Sequence, residues 1–160
     1  MATRWLTTEQ QRAWRSYIEA VRLLQEALDA QLQADAGMPH AYYEILVRLS
    51  EVPGRRLRMA ELATGTQSSR SRVSHAVARL EERGWVRREP CPSDRRGQLA
   101  VLTDEGFAAL AAAAPGHAAR VRETVIDPLS REQLRALADA SAVIAGAVRA
   151  TSADAAGGDA

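Results

Sequence analysis

Residues 69–84 carry side chains of the kinds that hydrogen-bond to phosphates and base edges. Read as a helix, this stretch places Val73, Val77 and Leu80 in one apolar stripe. The opposite side then carries Arg70, Arg72, Ser74, His75 and Arg79. The first turns hold no acid, and Ser69 can cap the N-terminus. Because arginine can donate two hydrogen bonds to guanine and free N–H groups at a helix start suit phosphate, we predict a helix that enters the major groove of DNA.

A second arginine-rich stretch, residues 88–98, lies between two strand-like segments, WVRREP and QLAVLT. The pattern predicts a β-hairpin with a long loop at its tip. Arg95 and Arg96 would stand at that tip, where arginine suits a narrow minor groove. We expect Asp94 to accept hydrogen bonds that fix the shape of the loop. Gly97 is expected to let the backbone turn back into the strand.

The charge of the chain is concentrated in its middle. All 21 basic residues are arginine, and the formal net charge is only +1. Eleven arginines against five acids nevertheless give residues 55–100 a net charge of +6, and the remainder carries −5. Such an asymmetry is typical of a nucleic-acid contact surface, although a solvated charged face would show it too.

The elements around these stretches define a mostly α fold with a small β-hairpin wing. Helical spacing predicts an N-terminal helix over residues 1–36, which begins with the capping box Thr7 to Gln10. Residues 37–103 read as a helix-turn-helix with a brief strand near Leu57, followed by the hairpin. Residues 104–150 predict two further helices, the second capped by Ser130, and residues 151–160 predict a disordered tail.

The middle of the chain resembles the winged helix of the multiple antibiotic resistance regulator (MarR) family of bacterial transcription regulators. The resemblance covers ELATGTQSSRSRVSHAVARLEERGWVRREPCPSDRRGQLAVLTDEG, with its S-R-S-x-V-S start, RLEERGWVRR run and D-x-R-G wing. It departs from a common family pattern at His75, where arginine is frequent. The resemblance implies a winged helix-turn-helix flanked by N- and C-terminal dimerisation helices. It further implies a homodimer that binds double-stranded DNA at a near-palindromic operator.

The same family often responds to small anionic or phenolic ligands, which bind between the dimerisation helices and the winged helix. The residues that suit such an effector here are Trp14, Tyr17, His40, Tyr42 and Tyr43. The alternative is that these rings are core and interface residues.

Other chemistry has little support in the sequence. The three histidines lack metal-ligand spacing, no nucleophile or phosphate-loop motif is present, and we predict neither an enzyme nor a cofactor or metal. Cys91, the single cysteine, could act as a redox switch or be a plain loop residue. The lack of a signal peptide or membrane span predicts a cytoplasmic protein.

The sequence therefore favours a dimeric, ligand-responsive repressor, with a recognition helix at 69–84 and an arginine-tipped wing at 88–98. Two alternatives remain: a winged helix that binds protein instead of DNA, and a DNA-binding protein without a small-molecule ligand.

Overall fold

The computed structural model describes residues 3–92 and 94–157, and the side chains of residues 95, 96 and 152–157 lie outside the described part. The chain divides into two units, of which the first ends at Arg120 and the second begins at Val121. The elements that lie in the first unit or begin in it are α1 (Thr8–Ala36), α2 (His40–Ser50), a 3-10 turn (Pro53–Arg55), β1 (Arg56–Arg58), α3 (Met59–Gly65), α4 (Arg70–Glu82), β2 (Val86–Cys91), β3 (Asp94–Leu102) and α5 (Asp104–Val121).

Helix α1 is fixed at both ends by local hydrogen bonds. The Thr7 hydroxyl accepts from the Gln10 N–H at 3.2 Å, and the Thr7 N–H donates to Gln10 Oε1 at 2.9 Å, as predicted. Gly37 ends the helix in the left-handed conformation, with φ of 60°. Burial within α1 is limited to residues near its C-terminus, Leu28, Gln31 and Leu32.

The core of the first unit is where α2, α3 and α4 pack against the sheet. Its fully buried members include Leu46, Leu49, Leu62, Val73, Val77, Leu80 and Val86. The three predicted inner residues of α4 are all among them. Burying these side chains fixes the rotation of α4 about its axis, so its polar side faces solvent.

The sheet has three antiparallel strands in the order β1–β3–β2. Leu57 lies opposite Ala100, and Val86 lies opposite Leu102. The brief strand predicted near Leu57 therefore exists, and it joins the hairpin to make a three-stranded sheet.

The strands of the hairpin run further than the sequence predicts. Strand β2 continues to Cys91 and β3 begins at Asp94, so the prediction of a long loop at the tip is wrong. The register shifts after Pro90, from Pro90 opposite Gln98 to Cys91 opposite Asp94. Proline has no N–H to donate and is tolerated at such an irregularity. Residues 95–97 are consequently extra residues of β3 at the outer end of the wing.

The base of the wing is joined to the start of α5. The Thr103 hydroxyl accepts from the Gly106 N–H at 3.0 Å and donates to Gly84 O at 2.7 Å. Gly84 follows α4 in the left-handed conformation, with φ of 71°, as predicted. A Cβ atom on Gly106 would overlap the carbonyl oxygen of Trp85, so this junction accepts glycine alone.

The second unit consists of a π-helical turn, Arg122–Ile126, and the long helix α6, Arg131–Gly157. The predicted cap of α6 is confirmed, because the Ser130 hydroxyl accepts from the Gln133 N–H at 3.2 Å and the Ser130 N–H donates to Gln133 Oε1 at 2.9 Å.

Helix α6 also corrects the prediction for the C-terminal tail. Residues 151–157 continue the helix, so the prediction of disorder is wrong there, and residues 158–160 lie outside the described part. This segment is rich in alanine, which has the highest helix propensity. The Thr151 hydroxyl, at the point where disorder was expected to begin, donates to Val148 O at 2.9 Å.

Helices α1 and α6 each carry large apolar side chains that the single chain leaves exposed. On α1 these are Trp14, Tyr17, Ile18 and Leu23, and on α6 they are Leu137, Val143, Ile144 and Val148. Among the described residues, no helix has the length and apolar character needed to cross a bilayer.

Candidate nucleic-acid interface

Helix α4 begins with an arrangement suited to anions. Ser69 is its N-cap, with the Ser69 hydroxyl accepting from the Arg72 N–H at 3.2 Å. The hydroxyl proton remains available for donation. The first turn holds no acid, so the positive end of the helix dipole is not neutralised by a side chain of its own helix.

The predicted DNA-contacting residues of α4 all lie on its solvent side. Ser69, Arg70, Arg72, Ser74, His75 and Arg79 are each exposed. Within the described part of the chain, the side chains of Arg70 and Arg72 form neither an ion pair nor a hydrogen bond. The N-terminal half of α4 thus presents two free guanidinium groups beside its free main-chain N–H groups.

Most other arginines of the basic segment, residues 55–100, already have a hydrogen-bond or ion-pair partner within the chain. Ion pairs join Arg55 to Asp104, both Arg56 and Arg87 to Glu89, Arg79 to Glu82, and Arg88 to Glu81. Arg83 donates to Gly37 O at 3.0 Å. The charge available to a partner is therefore smaller than the count of arginines in the sequence suggests.

Arg79 differs in this respect from the other predicted DNA-contacting arginines of α4. Its Nη1 lies 2.8 Å from Glu82 Oε2, and this hydrogen bond raises the pKa of Arg79 above its usual value. Both side chains are largely exposed, so the pair is weak and can exchange for a phosphate.

Arg88 connects the wing to α4, and it is not among the site residues predicted from the sequence. From β2, its Nη1 lies 3.2 Å from Glu81 Oε2, and its Nη2 donates to Ser74 O at 2.8 Å. The Arg88 main-chain N–H donates to Glu81 Oε1 at 2.9 Å. These contacts hold the wing on the same side of the fold as the polar face of α4.

A groove of about 670 Å³ lies between these elements. It is lined by Arg58, Met59, Ala60, Arg70, Ser74, Arg88, Glu89, Pro90, Asp94, Gly97 and Gln98. Helix α4 and the wing therefore border one continuous surface. Contact with two adjacent DNA grooves requires such an arrangement.

At the tip of the wing, Gly97 is needed for space. The described glycines with positive φ are Gly37, Gly54 and Gly84, so a left-handed backbone is not what requires glycine at position 97. A Cβ at this position would lie 2.8 Å from Asp94 Oδ2 and 3.1 Å from Cys91 Cβ. The Asp94 carboxylate thus lies against Gly97. The expected minor-groove contacts of Arg95 and Arg96 involve side chains outside the described part.

Within the single chain, the five residues proposed for an effector lie in three places. His40 and Tyr43 line a cleft of about 720 Å³, together with Gln25, Glu44, Val47, Arg48, Glu51, Gly65, Thr66, Gln67 and His117. Tyr42 packs against the core, and its ring centroid lies 5.8 Å from Arg83 Cζ. Trp14 and Tyr17 lie on the exposed side of α1, with their ring centroids 6.3 Å apart.

His117 completes the aromatic side of the cleft. Its ring centroid lies 4.4 Å from that of Tyr43 and 5.5 Å from that of His40. Burial, and secondarily the neighbouring His40, lower the pKa of His117, and burial raises the pKa of Tyr43. His117 Nδ1 is buried and has no hydrogen-bond partner among the described residues. No local sequence pattern connects this histidine to a residue 74 positions earlier.

Two further predictions concern chemistry at cysteine and metal. Cys91 is 7% exposed, which limits oxidant access to its thiol, and its redox role stays a prediction. Among the residues that the structure describes, no group of three His, Cys, Asp or Glu side chains could hold a metal ion.

The fold is a winged helix-turn-helix, because the short helix α3 is followed by a turn, the capped helix α4 and a β-hairpin. In this class of fold, one helix and one hairpin can contact DNA together. Comparison with known proteins narrows this class. The MarR family model matches residues 36–97. Sco3205 from Streptomyces coelicolor, a MarR family transcriptional regulator solved in complex with DNA, is 59% identical, with a TM-score of 0.87 over 89% of this chain and 90% of that chain.

AbsC, another MarR family transcriptional regulator from Streptomyces coelicolor, is 48% identical, with a TM-score of 0.87 over 92% of this chain and 99% of that chain. The transcriptional regulator PecS from Dickeya dadantii is 35% identical over 81 residues, 49% of this chain and 48% of PecS. The chain thus spans about half the length of the curated relatives it matches. The chain belongs to the MarR family. This confirms the predicted winged helix-turn-helix fold and the predicted family.

Proposed function

We propose that this chain binds double-stranded DNA as a homodimer and acts as a ligand-responsive repressor at a near-palindromic operator. The observation that carries the proposal is the exposed N-terminal half of α4, whose two arginines have no ion pair among the described residues and whose first turn has no acid. Exposed, unpaired cations beside a helix N-terminus are complementary to a polyanion.

In the proposed complex, α4 lies in the major groove. Arg70 and Arg72 reach base edges or phosphates, while Ser69 and Ser74 donate to phosphate oxygens. His75 and Arg79 follow along the same face of the helix. The wing carries Arg95 and Arg96 to the adjacent minor groove. The similar Sco3205, a MarR family regulator solved in complex with DNA, supports DNA as the partner.

The dimer is supported by the exposed apolar residues of α1 and α6. Val143 is 72% exposed and Trp14 is 56% exposed in the single chain, and a second copy would cover such residues. A two-fold axis would present two copies of α4 to half-sites about one DNA turn apart. Light scattering should give a mass twice the 17.4 kDa of one chain. A monomer at micromolar concentration would contradict the dimer.

The cleft beside His117 supports a response to a small molecule. Its rings and its buried, unpartnered Nδ1 suit a compound with an aromatic ring and a hydrogen-bonding group. A ligand that binds only the folded state raises stability by about 2.7 kcal/mol at a hundred times its dissociation constant. Salicylate and related phenolic acids should therefore raise the melting temperature and lower operator affinity. No shift with any member of such a panel would favour a regulator without a ligand.

The DNA-binding proposal is tested by the salt dependence of affinity for a random duplex. Each neutralised phosphate contributes about −0.9 to the slope of log affinity against log salt, so several contacts give a steep fall. Weak binding that does not change with salt would support a winged helix that binds protein. A regulator of this kind would act in the bacterial cytoplasm. A reporter gene placed behind its operator distinguishes repression from activation.

A further inference from the structure

We propose that Glu81 and Arg88 are positioning residues for DNA binding, so that an acidic residue on the recognition helix is required for tight binding. The proposal rests on the proposed function, because it concerns how the wing is held relative to α4. Charge alone would predict tighter DNA binding when Glu81 loses its negative charge, whereas this proposal predicts weaker binding.

The contact geometry makes this pair a two-point clamp between α4 and β2. Arg88 reaches Glu81 Oε2 with Nη1 and Ser74 O with Nη2, two positions that lie two helical turns apart on one side of α4. The second carboxylate oxygen of Glu81 accepts from the Arg88 main-chain N–H. Side chain and main chain of β2 are thus both fixed to the same helix.

The pair is shielded from water in comparison with its neighbour. The Arg88 and Glu81 side chains are 25% and 30% exposed, against 66% and 61% for Arg79 and Glu82. Water and salt screen a partly buried ion pair less than an exposed one, so it holds its geometry better. Arg88 Nε is itself buried without a hydrogen-bond partner among the described residues, so this end of the guanidinium is covered by the surrounding elements.

The clamp is located where the wing needs support. Strand β1 pairs with β3 only as far as Leu99, and beyond that point the hairpin has two strands. An isolated two-stranded hairpin is marginally stable in water. Arg88 lies opposite Ala100, next to this change from three strands to two. We infer that the clamp sets the angle at which the outer wing, with Asp94 to Gly97, projects beside α4.

Two substitutions with the same change in charge test the proposal. Glu81→Gln and Glu82→Gln each remove one negative charge from adjacent positions of α4. Glu82→Gln releases Arg79 from its ion pair, so it should bind operator DNA as tightly as wild type or more tightly. Glu81→Gln should bind about tenfold more weakly, which corresponds to one good DNA contact.

The wing contact itself provides a readout that a general loss of stability would not change. Hydroxyl-radical footprints on the operator should lose protection in the flanking minor groove with Glu81→Gln. Protection of guanine N7 from dimethyl sulfate, which reports major-groove contacts, should be kept. Thermal melts of both variants establish that each is folded at the assay temperature.

Arg88→Lys provides a second test that does not depend on Glu81→Gln folding well. Lysine keeps the charge but lacks the planar fork that reaches both Glu81 and Ser74 O, so it should give the same footprint defect. Wild-type affinity for Arg88→Lys, or tighter binding for both glutamine variants, would overturn the proposal. Wild-type protein that fails to bind DNA in the same titration would instead refute the proposed function.

Discussion

The α4–wing surface and the cleft at His40, Tyr43 and His117 lie in the same unit but have opposite physical character. The first is exposed and cationic, with free arginines at the start of a helix. The second is partly desolvated, and burial holds the pKa of His117 low and that of Tyr43 high. Exposed charge suits a polyanion, whereas partly buried rings suit a small molecule or a proton. The two regions should therefore respond separately to substitution.

The largest effect is expected from a substitution that damages both regions together. Gly106→Ala places a methyl group against the Trp85 carbonyl oxygen and 2.8 Å from Leu102 Cδ1, at the junction of wing and α5. The main chain must shift, and we expect the free energy of unfolding to fall by about 3 kcal/mol. Urea denaturation at fixed protein concentration measures this.

Gly65→Ala is the matched control, because its new methyl group meets only the flexible Arg48 side chain at 3.8 Å. It should leave stability within about 1 kcal/mol of wild type. Equal stability of the Gly106 and Gly65 variants would contradict the described junction.

The next largest effect separates the two regions. Arg72→Ala removes a free guanidinium from α4 and should cost about 1–3 kcal/mol of operator affinity, with the fold and the cleft unchanged. Arg96→Ala, chosen from its position in the sequence, should also weaken binding. Fluorescence anisotropy with a labelled operator measures both, and thermal shift with a cleft ligand should match wild type. Unchanged DNA affinity in both variants would count against the α4–wing surface.

A pH experiment tests the cleft and should leave DNA binding unchanged. Because the pKa of His117 is lower in the folded protein than the unfolded value of about 6.5, the unfolded chain binds more protons as pH falls. Stability is therefore fully present above about pH 6.5 and declines as pH falls toward the folded pKa.

His117→Gln removes this titration, so the variant should lose less stability than wild type between about pH 7 and pH 5. Its operator affinity at pH 7.5 should stay at the wild-type value, since the substitution lies away from α4. The same acid-side loss in variant and wild type would show that His117 does not titrate as described.

The smallest effect on operator affinity is expected from Arg79, which we compare with Arg72 on the same helix. Arg79→Ala removes an arginine that already has an ion-pair partner in Glu82, so binding DNA must first break that pair. We expect a smaller loss of operator affinity than for Arg72→Ala in the same anisotropy titration. A loss as large as that of Arg72→Ala would place Arg79 among the main DNA contacts.

Local patterns account for what the sequence predicts well. The capping boxes at Thr7 and Ser130, the left-handed Gly84 and the buried stripe of α4 depend on residues a few positions apart. The family motif likewise lies within one continuous segment of the chain. These features need no knowledge of the tertiary structure.

Long-range contacts account for what the sequence does not predict. The Arg88 clamp and the His40–His117 contact join different elements, and periodicity carries no information about such pairs. The role of Gly97 became visible only with the register shift that places it against Asp94. Ion pairs also reduced the apparent charge of the basic segment, which a count of arginines cannot show.

Selection of bound sequences from a random duplex pool tests most directly whether two copies of α4 and the wing read DNA together. If they do, the selection should enrich a near-palindrome whose half-sites are centred about one helical turn apart. Recovery of a pool with no enriched sequence, or of a single half-site without symmetry, would contradict this prediction.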